Sequence, residues 1–144
     1  MDDSEVKVIK PNINRPIFVT RTLLYPQYMT KVTIDIPRAL GKPRRFIVFL
    51  LVDGCTGKVS RSDSWPQFIQ HLDGEEEQIP CKINKEEAQE HIREYATKKI
   101  ARRYLTYWKP VIEINTLSFV HKLFWMTRSK SVVDSLSANE LMFS

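Results

Sequence analysis

The sequence predicts an α+β protein: one long helix packed across a mainly antiparallel sheet built from a duplicated strand-hairpin unit. Strand-like segments flank a single helical segment, an order that segregates the helix into its own layer. That segment repeats apolar residues at three- and four-residue steps. A short pattern also occurs twice. One copy runs Tyr25-Pro26-Gln27-Tyr28-Met29-Thr30-Lys31 and continues over 49–59. The other runs Lys122-Leu123-Phe124-Trp125-Met126-Thr127-Arg128 and continues over 131–141. In both, aromatic-Met-Thr-basic is followed by Val-Asp, two variable residues and a hydroxyl residue. The 144 residues are read as a single domain, 1–144, with a strand-rich half (1–60), a loop (61–84) and a helix-plus-strand half (85–144).

Each element has its own justification. Residues 6–33 alternate β-branched and aromatic residues with polar ones, and Pro11, Pro16 and Pro26 restrict their strands to edges or short pieces. Over 27–36, Tyr28, Val32, Ile34 and Ile36 include a run at period two, as one buried strand face requires. Gly41 and two prolines make 37–44 a connecting loop. Residues 45–52 are apolar at nearly every position and predict a central strand covered on both faces. Asp53-Gly54-Cys55-Thr56-Gly57 is a turn, because its glycines tolerate positive φ and the carboxylate bonds amides ahead of it. Residues 58–60 return as a hairpin.

From 61 to 83 the pattern breaks up around Pro66 and the acidic tract Asp73-Gly74-Glu75-Glu76-Glu77; here Trp65, Phe68, Ile69 and Leu72 suit a short helical turn. Asn84 with Glu87 forms a capping-box-like start, acids fill the first turn, and bases fill the end. The apolar stripe Ala88, Ile92, Tyr95, Ala96, Ile100, Tyr104 and Leu105 predicts a helix over 85–107, roughly 35 Å long. After Pro110 come strands over 111–115, 118–128 and 131–143, the last with a turn near Ala138-Asn139.

With 42% hydrophobic and 27% charged residues, the chain reads as an ordinary globular protein. Its longest purely apolar run, 46–52, is far shorter than the roughly 20 residues of a membrane helix, so no membrane insertion is expected. The acidic start Met1-Asp2-Asp3-Ser4-Glu5 lacks the features of a secretory signal and predicts a cytoplasmic location. Cys55 and Cys81 suit neither a disulfide framework nor a zinc site. Net charge of +5 directs attention to acidic partners.

The helix, the strands after it, and a strand ending in Val-Asp-x-x-Thr-Gly resemble the PepSY domain, a small α+β module. The match lies in Val52-Asp53-Gly54-Cys55-Thr56-Gly57, and again in the helix with Val133-Asp134-Ser135-Leu136-Ser137. It covers about half the chain. The first half has no helix before its strands, and the second turn offers Ala138-Asn139 in place of glycine. A cystatin-like arrangement has the same outline. The resemblance implies a binding or inhibitory module with no catalytic residues to transfer.

The residues show no catalytic or cofactor constellation, and no metal site is expected. Asp53 and Asp134 suit caps of their own turns better than a catalytic pair. His71, His91 and His121 have no second ligand at metal-binding spacing. Cys55 beside Lys58 is the one candidate nucleophile, and no orienting histidine accompanies it. No glycine-rich phosphate loop is present. The basic helix end offers Lys98, Lys99, Arg102 and Arg103 with interleaved aromatics, as nucleic-acid surfaces do, although bases there also stabilise the helix itself. The repeated aromatics Tyr25, Tyr28, Phe124 and Trp125 suit either a core or, facing outward, an interaction patch. The reading is a non-enzymatic adaptor or inhibitor binding a protein or peptide through a sheet edge, these aromatics or the helix end. Nucleic-acid binding through the helix is the alternative. Self-association through an edge strand is compatible with either.

Overall fold

The computed structural model describes residues 7–38, 40–69, 74–103, 109–128, 131–136 and 140–142. Its strands are β1 (Val8–Ile9), β2 (Val19–Ile36), β3 (Arg44–Asp53), β4 (Val59–Ser62), β5 (Phe68–Ile69), β6 (Glu77–Gln78), β7 (Val111–Thr127), β8 (Ser131–Asp134) and β9 (Glu140–Met142). The one α-helix among the described residues, α1, spans Lys85–Tyr95. The fold class is α+β with the sheet dominant and mainly antiparallel. Among the described residues, β1 pairs with β7 and β2 with β6 in parallel. The chain divides into two compact units, Met1–Gln27 with Pro66–Cys81 and Phe119–Ser144, and Tyr28–Trp65 with Lys82–Ser118.

In the second unit the strand order is β4-β3-β2-β7. Alternation on β2 and β3 sends Val32, Ile34, Ile36, Val48, Leu50 and Val52 to one face. There they bury against Ala88, Ile92, Ala96, Ile100 and Ala101, with Tyr28, Tyr95 and Ile112 packed around them. Asn84 caps α1 reciprocally: its side chain accepts from the Glu87 N–H at 2.8 Å, and the Glu87 carboxylate accepts from the Asn84 N–H at 3.2 Å. The expected single α-helix over 85–107 requires correction. After Tyr95 the backbone widens into a π-helical turn, Ala96–Ile100, and tightens into a 3₁₀ turn, Ala101–Arg103. The sequence supplies the cause. Ala88, Ile92, Ala96 and Ile100 recur every four residues, a step that drifts about 40° at 3.6 residues per turn. A widened turn returns Ile100 to the core. Residues 104–108 lie outside the described set.

Three further expectations change. Strand β3 is buried on one face only; Ile47, on the other, is 54% exposed. Residues 111–127 form one continuous strand, and the change at Asn115–Thr116 is a switch of facing: Ile112, Ile114 and Leu117 all reach the same core. Phe68 and Ile69 form a strand opposite Ile9 and Val8, where a helical turn was expected.

In the first unit, Val8, Leu24, Leu123 and Trp125 make the core, with Ile13, Val19, Ile69 and Val133 around it. Pro26 is fully buried inside β2, where the sequence placed prolines only at edges or in short pieces. Leu24 accepts from the Ile79 N–H, so β2 turns that row of backbone groups toward β6. Two residues on, Pro26 presents its missing N–H on the same side, after β6 has ended at Gln78. No ladder bond is lost.

Candidate functional site

The β3–β4 hairpin is fixed by its turn. Asp53 Oδ1 accepts from the N–H groups of Cys55 (2.8 Å) and Thr56 (3.0 Å), as its position before a glycine-containing turn predicts. Gly57 closes the turn at φ +78°, in the left-handed region. A side-chain carbon there would lie 2.7 Å from His91 Nε2, so α1 sits directly against the turn.

The hairpin register determines which backbone groups face outward. Asp53 N–H donates to the Lys58 carbonyl at 2.8 Å, and Leu51 and Phe49 stand opposite Ser60 and Ser62. Opposed pairs in an antiparallel ladder alternate between bonded and non-bonded. Ser60 and Ser62 therefore bond β3, while the N–H and C=O of Val59 and Arg61 point away from it. Since β4 ends the order of the described strands, those groups form an open row among the described residues. The side chains beside them are small or basic: Ser60 and Arg61 are exposed, with Lys58 preceding. This arrangement can accept an extended backbone, and its charge favours an acidic one. The sequence predicted the hairpin; it carries no signal that no described strand pairs beyond it.

The residues singled out from sequence fall elsewhere. Trp125 is 4% exposed in the core of the first unit. In the same unit Tyr25 and Phe124 pack edge to face, centroids 5.4 Å apart, and Lys122 lies 4.8 Å above the Phe124 ring. Tyr28 packs on the core of the second unit and donates its hydroxyl to the Ile83 carbonyl. These aromatics are occupied by packing. At the helix end, Lys98 pairs with Glu94 at 2.8 Å, one turn back. The Lys98 ammonium in turn holds the Glu94 carboxyl below the usual range. Lys99 and Arg102 are exposed. The Arg103 side chain is outside the described set.

Asp134, in the first unit, accepts from the Leu136 N–H at 2.8 Å and pairs with Lys122 at 2.9 Å. Like Asp53, it serves its own turn. His71 lies outside the described residues, His91 faces Gly57, and His121 is buried. Among the described residues no three His, Cys, Asp or Glu side chains are grouped to hold a metal, and no helix is long and apolar enough to cross a membrane. The first unit has a recess of about 450 Å³ lined by Arg15, Arg21, Glu75, Glu76 and Glu77. An Arg21–Glu77 ion pair ties its opposite charges together. No protein-family model matches the chain, and no curated protein or solved structure shows significant similarity to it.

Proposed function

We infer that this chain is a non-enzymatic adaptor or inhibitor that binds an extended, acidic protein segment along β4. The outward N–H and C=O groups of Val59 and Arg61 carry this reading. Backbone bonds to them supply affinity, and Lys58 and Arg61 select carboxylates on the incoming strand.

In this reading the two hairpins are copies of one unit, and what supports it is their common geometry. In β3–β4, Val52 precedes the turn aspartate and pairs with Val59; in β8–β9, Val133 precedes its aspartate and pairs with Glu140. Both aspartates accept from the amide two residues on. The PepSY resemblance implies a binding or inhibitory role.

The test is selection of peptides from a random display library on the immobilised chain, followed by binding to Arg61→Pro and Arg61→Ala variants. Proline removes an N–H that faces away from β3, so the hairpin persists while the incoming strand loses a bond. The expected peptides are extended and acidic, weakened by Arg61→Ala and weakened further by Arg61→Pro. Binding unchanged by Arg61→Pro would refute the edge as the site.

A further inference from the structure

The register of the β3–β4 hairpin also divides the side chains along its edge between two faces. Val48, Leu50 and Val52 are buried in the core against α1, so Phe49 and Leu51 lie on the opposite face of β3. Arg61 stands opposite Leu50 and Val59 opposite Val52, which places both on the α1 face. Ser60 and Ser62, opposite Leu51 and Phe49, lie on the other. On that second face the Trp65 ring meets Phe49 edge to face, with centroids 6.1 Å apart. Both aromatics are half-buried, so part of their surface is open to contact. The two serines, which stand between β3 and the edge, are too small to screen them.

We propose that the strand received along β4 is read on both faces: a carboxylate stands opposite Arg61, and the neighbouring residue, opposite Ser62, lays a large apolar or aromatic side chain against Phe49 and Trp65. The inference rests on the edge reading above and adds the sequence that the edge selects. A strand added to a sheet continues its pleat, so its successive side chains fall alternately on the two faces. The α1 face meets it with the exposed Arg61 guanidinium, and the other face with an aromatic pair behind serines. Two strand spacings, about 10 Å, separate the new strand from β3. Only a long side chain crosses that gap over Ser62, so alanine or valine does not serve. The acid and the apolar residue must be adjacent in sequence. The apolar one comes first when the new strand runs antiparallel to β4, and second when it runs parallel.

The experiment is fluorescence anisotropy with a labelled synthetic peptide of library-selected sequence and two derivatives of it. One derivative has Ala in place of the apolar residue; the other has Ala inserted between the acid and the apolar residue, which puts both on one face. Against the unaltered chain each derivative is expected to bind about tenfold more weakly than the parent peptide, as loss of an aromatic contact with its apolar burial predicts. Trp65→Ala weakens the parent peptide by a similar factor and leaves the Ala-substituted peptide unchanged, while Trp65→Phe keeps most of the affinity. Val111→Ala, an exposed position at the far end of the strand order, changes neither. If Arg61→Pro weakens binding but the three peptides bind the unaltered chain equally, the two-face reading is overturned and the edge stands. Trp65→Ala weakening the parent and Ala-substituted peptides alike would also overturn it. Binding unaffected by Arg61→Pro overturns the edge, and this inference with it.

Discussion

Replacing Gly57 by Ala separates two costs that the structure places at one atom. At φ +78° an L-residue pays about 1–2 kcal/mol for the left-handed conformation whatever surrounds it. The new carbon would also stand 2.7 Å from His91 Nε2. The imidazole must then shift within a packed layer, at about 1–3 kcal/mol. Together they give about 3 kcal/mol, equivalent to roughly 6–12 °C in melting temperature for a domain of this size. His91→Ala removes the collision but not the backbone cost. In that background Gly57→Ala is expected to lose only about 1–2 kcal/mol. Urea and thermal denaturation of the four proteins in this cycle read the difference directly. Additivity, with Gly57→Ala costing the same in both backgrounds, would refute the placement of α1 against the β3–β4 turn. A neutral Gly57→Ala would refute the turn geometry itself.

Asn84→Ala removes the acceptor of the Glu87 N–H and is expected to cost about 1 kcal/mol in urea denaturation, with Asn84→Ser nearly neutral. Ile92→Ala opens a cavity between α1 and the sheet and should cost about 2–5 kcal/mol, against about 1 kcal/mol for Ile92→Val. His121 gives a pH signature. Burial pushes its imidazole pKa below the ordinary 6.5, against an opposing hydrogen bond to the Lys7 backbone. The unfolded chain therefore takes up the proton first. Its contribution is intact above about pH 6.5 and stability falls as pH drops toward the folded-state pKa, by at most about 1.4 kcal/mol per unit. Denaturation from pH 8 to 5 should show this fall in the parent and a shallower one in His121→Gln; parallel curves would contradict it.

The elements best read from sequence are those set by local chemistry. Asn84 and Glu87 marked the helix start because capping requires residues of that kind three apart. Asp53 and the glycines after it marked the hairpin because the turn needs a carboxylate acceptor and positive φ. The misreadings arose where a partner chain segment decides. Pro26 looked like an edge residue, yet its missing N–H falls where β6 has already left the ladder. Residues 116–117 looked like a break, yet the strand runs through them and only changes facing. The four-residue spacing of Ala88 to Ile100 resembles that of an α-helix, although spacing that strict drifts and requires a wider turn. For the candidate site the limit is sharper. Val59 and Arg61 are unremarkable residues, and what distinguishes them is that no described strand pairs with the outer side of β4, which no local pattern encodes. The aromatics Tyr25, Tyr28, Phe124 and Trp125 gave a strong pattern because they pack.

The central claim is that β4 receives an incoming strand, and amide hydrogen exchange at single-residue resolution tests it most directly. With a selected acidic peptide bound, the amides of Val59 and Arg61 are expected to slow markedly, while those of Ser60 and Ser62, already bonded to β3, change little. Protection confined to the helix end or to another strand, with Val59 and Arg61 exchanging as before, would contradict the account.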